Sequence, residues 1–142
     1  MIAELAPAAL TDVGAIRVQV GGGSMAPLLP DHSVVVVERV APSEIRRADT
    51  VLLEAAPERL LLHRVLRIRR SSRGRQFLIK GDRLGCCDGW YDEGAVLGRM
   101  TRVQRPGGDP IAGAALALLN WLGLALSTAR AAGVLVMSRV RA

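Results

Sequence analysis

Ser24 closes a run of three glycines, Gly21-Gly22-Gly23, after the apolar stretch 16–20, and is followed by Met25-Ala26-Pro27. Glycines allow a substrate close to the backbone, and N–H groups in a turn stiffened by proline can face a developing oxyanion. Gly23, Ser24 and Met25 together therefore suit nucleophilic acyl transfer with oxyanion and substrate binding. Alone, such a run is more often a flexible turn. A serine nucleophile needs a base, and His63 supplies a candidate: it is one of two histidines and stands in LLLHRV (60–65), among aliphatic neighbours. Neutral imidazole is the form that accepts a proton. His32, in Pro30-Asp31-His32-Ser33, reads as a surface turn residue. Asp82 in LIKGD (78–82) and Asp88 in CCDG (86–89) follow a later apolar run. Either carboxylate could orient the imidazole, although an aspartate beside glycine is also an ordinary turn residue.

These groups must be positioned by the runs around them. Short β-rich segments occur at 16–20, 33–40, 50–55, 60–70, 75–80 and 95–103, separated by turn signals at 21–23, 30–31, 41–43, 71–74 and 81–82. That density of short strands predicts an antiparallel sheet or barrel with few helices. The breaker-rich 105–110 then reads as a linker, after which 110–129 runs without a charge. A division follows into a β domain over 1–107 and a helical apolar tail over 108–142.

The chain of 142 residues is long enough for one domain and too short for multidomain machinery. Its hydrophobic share of 50% argues for a real core and against intrinsic disorder, and an aromatic share of 3% makes that core aliphatic. Scarce aromatics also remove the stacking platforms of single-strand nucleic-acid binders, so a nucleic-acid partner is not expected despite the net charge of +6. Lys80 is the only lysine. Cys86 and Cys87 are adjacent, which suits neither a disulfide between elements nor a zinc site; no metal or cofactor is expected. The first twenty residues contain Glu4 and Asp12 and show no basic leader before an unbroken apolar run, so no secretory signal is read and a location in the cytoplasm, or on the cytoplasmic face of a membrane, is expected. The segment 110–129 just reaches the length of a membrane span, but Asn120, Ser127 and Thr128 weaken it. Membrane association through this segment and packing of a helix, broken at Gly123 or Gly133, onto the β domain are both open. Arginines on both sides give no orientation.

As a set, Gly-Ser-Met-x-Pro (23–27), Arg-x-Asp before an apolar run (47–53), His-Arg-Val (63–65), Lys-Gly-Asp (80–82), Asp88 and Leu-Gly-Arg (97–99) resemble the type I signal peptidases and the wider class of serine peptidases that includes the self-cleaving repressors. The similarity spans roughly 16–105. The separations of 39 residues from Ser24 to His63 and six from Asp82 to Asp88 are similar to those of the branch found in archaea, the endoplasmic reticulum and some bacteria, where histidine replaces the lysine base. The resemblance implies a mostly β fold of coiled sheets carrying the apolar helical tail. It implies a serine endopeptidase that removes a leader or signal peptide or processes a specific protein, with the polypeptide substrate bound as an extended strand. Ser24 would attack, His63 would take its proton, Asp82 or Asp88 would orient the imidazole, and the Ser24 N–H would contribute to the oxyanion hole. Asp49 would be structural, near the Ser24 loop. Lys80 would lie in the family's Lys-Gly-Asp turn and not at the base position. Gly22 stands where many relatives place a serine that adds a second oxyanion donor. A catalytically degenerate relative that binds without cutting is the alternative, with the arginines at 64, 67, 69, 70, 73 and 75 as a contact for an anionic surface.

Overall fold

The computed structural model describes residues 12–140, with side chains as far as Ala131. The leading segment 1–11 and residues 141–142, assigned above to the ends of the β domain and tail, lie outside the described residues. The protein is mostly β: one antiparallel sheet of eight strands and one C-terminal apolar helix. The strands are β1 Ala15–Gln19, β2 Val34–Glu38, β3 Thr50–Ala56, β4 Arg59–Ser71, β5 Gly74–Lys80, β6 Gly89–Asp92, β7 Val96–Gln104 and β8 Pro110–Ala112, followed by helix α1, Gly113–Val140. They are ordered β1-β2-β7-β3-β4-β5-β6, with β8 on β7. Six coincide with the expected runs. The very short β6 and β8 were not expected, and β8 converts the end of the supposed linker into sheet.

Strand β3 shows why the apolar pattern folds this way. Thr50, Val51, Leu52 and Leu53 are all buried, as befits a strand covered on both faces. Because side chains alternate, Leu52 joins a core with Val20, Met25, Leu29, Val35, Val37, Met100 and Val103. Val51 and Leu53 join a second core with Ile45, Val65, Phe77 and Ile79. The tail helix completes the first of these cores with Leu116 and Leu119.

Helix α1 runs through both Gly123 and Gly133, so neither breaks it. Its buried positions are 116, 119, 120, 123, 124 and 127, one face of a 3.6-residue repeat. Gly113–Ala131 is long and apolar enough to cross a membrane by length and composition, yet a third of its residues, 33%, are buried against the sheet domain.

Candidate active site

The loop carrying Ser24 is held from within. Met25 and Leu29 are buried in the first core, and Leu29 N–H donates to the Met25 carbonyl at 3.0 Å. Gly22 takes a left-handed conformation, φ 82°, and its N–H donates to Asp31 Oδ1 at 3.0 Å. A second turn, at the end of β5, closes on this loop: Arg83 N–H donates to the Ser24 carbonyl at 2.8 Å, and Asp82 N–H to Met25 Sδ at 3.5 Å. Gly81 makes that closure possible. A Cβ there would come within 2.9 Å of the Ser24 carbonyl oxygen and 3.1 Å of His63 Nε2.

Strand β4 delivers two consecutive polar side chains, His63 and Arg64, both buried. Alternation along the strand sends them to different partners. His63 Nε2 lies 3.0 Å from Ser24 Oγ, and His63 Nδ1 lies 2.5 Å from Asp88 Oδ2. A carboxylate only accepts, so Nδ1–H is the donor to Asp88, which leaves Nε2 with a lone pair toward the Ser24 hydroxyl. Asp88 is fixed where β5 gives way to β6, its N–H donating to the Ile79 carbonyl at 2.8 Å.

Asp82, the other candidate for orienting the imidazole, is engaged elsewhere. It accepts from Arg64 Nε and Nη2, each at 2.7 Å, in a fork-to-fork pair with no exposure of the carboxylate. Arg64 Nη1 also donates to the Ala48 carbonyl at 2.8 Å, the Asn120 carbonyl at 3.0 Å and Asn120 Oδ1 at 3.1 Å. Arg64 is therefore not part of the surface arginine group suggested by its neighbours in sequence. Lys80 is also buried, donating to the Gly81 carbonyl at 3.0 Å and to Ser127 Oγ at 2.9 Å; burial pulls its pKa down, against the attraction of Asp82. Two of the three polar residues that weaken 110–129 as a span, Asn120 and Ser127, thus serve the buried ions of the sheet, while Thr128 donates to the Leu124 carbonyl of its own helix at 2.8 Å. Gly123 belongs to the same arrangement, since a Cβ there would overlap the Arg64 guanidinium.

Three other sequence-selected groups lie apart. Asp49 accepts from Arg46 N–H at 2.8 Å and faces Arg99 at 3.7 Å; burial raises its carboxyl pKa in spite of both. Its carbonyl accepts from Val65 N–H at 2.8 Å. These bonds organise the 46–49 turn rather than the Ser24 loop. His32 is exposed beside Asp31, as expected. Cys86 and Cys87 are exposed free thiols, and desolvation pushes the Cys87 thiol up. Among the described residues no cluster of His, Cys, Asp and Glu could hold a metal ion.

A cleft of about 380 Å³ opens at Ser24 and His63, walled largely by Val18, Val20, Met25, Leu52, Leu60 and Leu62. It lies between two strand edges. Among the described residues β1 pairs only with β2, and Arg59–His63 of β4 pairs only with β3, because β5 joins β4 from Arg64 onward. The sequence reading missed Arg64, Asn120, Gly123 and Ser127 as supports of this site. The spacing of 120, 123 and 127 on one helical face is the signal that could have found the helix residues. No family model matches the chain, and no curated protein matches it in sequence.

Proposed function

We propose that the chain is a serine endopeptidase of the type I signal peptidase-like class, cutting a leader or signal peptide or processing a specific protein. The observation that carries this reading is the continuous Ser24–His63–Asp88 hydrogen-bonded chain at the mouth of an apolar cleft. His63 Nε2 takes the Ser24 Oγ proton as Oγ bonds to the scissile carbonyl carbon. Collapse of the tetrahedral species breaks the C–N bond, with the proton passing from His63 to the leaving amine. Water then repeats the sequence to release the acyl group. Asp88 orients the imidazole and stabilises it when charged; it is a positioning residue. The Ser24 N–H contributes to the oxyanion hole. Gly22 offers no side-chain donor, so the hole has one donor fewer than in many relatives, a difference of roughly 10²–10³ in rate.

The two strand edges that border the cleft, unpaired among the described residues, support a polypeptide substrate bound in extended form, through main-chain bonds for affinity and an apolar pocket for choice of side chain. The test compares new protein N-termini by mass spectrometry in cells carrying the native chain and cells carrying Ser24→Ala at equal abundance. Termini found only with the native chain, on few proteins and with a shared cleavage context, are expected, and they also report on which side of a membrane the enzyme works. Identical profiles, together with no cleavage of a peptide library by the purified chain, would leave a peptidase-like binding module instead.

A further inference from the structure

The face of α1 turned away from the sheet has no partner among the described residues. Leu118 is 63% exposed, Trp121 55% and Leu122 53%, and the alanines at 114, 115, 117, 125 and 129 extend the same face. An arginine-rich flank borders it. Trp121 and Ala117 share a recess with Arg46, Arg47 and Arg99, where Asp49 is the only acid. Arg47 in turn lines a neighbouring recess with Arg67, Arg69 and Trp90, the Arg69 guanidinium lying 4.0 Å from the centre of the Trp90 ring. The two recesses adjoin at Arg47, so that the apolar helical ridge is bordered by five arginines and one carboxylate, with a tryptophan lining each recess.

We infer that this surface docks in the plane of an anionic lipid bilayer, α1 lying at the interface with Leu118, Trp121 and Leu122 in the upper acyl region and the arginines among the lipid phosphates. Amphipathic helices bind membranes in this way, tryptophan favours the interfacial depth, and guanidinium pairs with phosphate. The opposite face of α1 is already committed, Asn120 to Arg64 and Ser127 to Lys80, so the helix meets lipid on one side only. That commitment sets docking apart from a span, which would strip two buried cations of their partners.

The test uses the full chain carrying Trp90→Phe, so that Trp121 is the only indole, with phosphatidylcholine vesicles with and without phosphatidylglycerol. Flotation with the phosphatidylglycerol vesicles, a blue shift of Trp121 emission, stronger quenching by lipids brominated near the headgroup than near the chain end, and release by carbonate are expected. Leu118→Glu with Leu122→Glu should weaken binding at least about tenfold, and Arg46→Gln and Arg67→Gln about fivefold each, with unchanged thermal unfolding because all four side chains are exposed. Ser24→Ala should float like the parent, so this result stands or falls independently of peptidase activity. Absence of flotation would overturn the inference. A concentration-dependent blue shift without lipid would assign the face to a second copy, and carbonate-resistant binding with deepest quenching at the bilayer centre would assign it to a span; each also overturns it.

Discussion

Asp82 and Asp88 lie six residues apart, and their replacement by asparagine should produce opposite defects. Asp82 has no exposure and forms two 2.7 Å bonds to Arg64, itself 1% exposed. Asparagine keeps the size but removes the charge, leaving a guanidinium buried with neutral carbonyls for company. Breaking one side of such a pair costs about 3–5 kcal/mol. At roughly 3–4 °C per kcal/mol for a domain of this size, Asp82→Asn should unfold about 10–20 °C below the parent. Asp88 is 20% exposed and makes one bond to His63. Its asparagine variant should lose about 1 kcal/mol of stability, a few degrees, while its amide competes for the wrong imidazole tautomer and cleavage falls by about 10⁴. Thermal unfolding by circular dichroism reads the first quantity, and cleavage of a substrate found from the N-terminal profiles, measured well below either midpoint, reads the second. Equal midpoints for the two variants, or full cleavage by Asp88→Asn where Ser24→Ala is inactive, would refute the division of labour between the two carboxylates.

Ser24→Ala and His63→Ala should each reduce cleavage by at least about 10²–10⁴, and the double variant should be little worse than either, since the groups act as one unit; multiplying losses in single-turnover rates would contradict this. Gly123→Ala should destabilise by about 1–3 kcal/mol, because the new methyl overlaps the Arg64 guanidinium, whereas Ala125→Gly on the exposed face should cost less; urea midpoints decide. Lys80 has no room for the larger arginine, so Lys80→Met is the cleaner probe, and it should keep cleavage because Lys80 contacts Gly81 and Ser127, not Ser24. Burial holds the folded-state pKa of Lys80 below the lysine norm, so between the two values the unfolded chain binds more protons, and the Lys80 contribution to stability rises with pH. Urea midpoints measured across alkaline pH should therefore move in favour of the parent over Lys80→Met as pH increases, and a difference that is flat or of opposite slope would remove the buried cation from the account.

Much of the strand order was readable because burial leaves a signature in the chain itself. Thr50-Val51-Leu52-Leu53 is apolar on both faces since β3 is covered on both, and LLLHRV places one ionisable group on each side of a strand between aliphatic neighbours. Strand β6 escaped because Trp90 and Tyr91 offer too short a run to outweigh the turn residues beside them, and β8 because Pro110 reads as a breaker although it pairs with Gln104 at the end of β7. Ser24 and His63 could be selected by type and surroundings. The choice between Asp82 and Asp88 could not, since both stand beside glycine and only the path of the 81–88 loop decides which reaches the imidazole.

The tail shows the same limit from the other side. Hydropathy sums 113–131 into a marginal span and counts Asn120 and Ser127 as blemishes, but a sum is blind to direction. Folded, those two residues and Gly123 share the face that meets Arg64 and Lys80, while Leu118, Trp121 and Leu122 share the opposite face. One helix thereby braces the Arg64–Asp82 pair from behind, and that pair holds the turn whose Gly81 rests on Ser24 and His63. A perturbation on the buried face of the helix thus has a short hydrogen-bonded path toward the proposed nucleophile, through Asn120, Arg64 and Asp82. Mutations on the buried face of the helix should consequently disturb cleavage as well as stability, whereas those on the exposed face should leave cleavage of soluble peptides untouched.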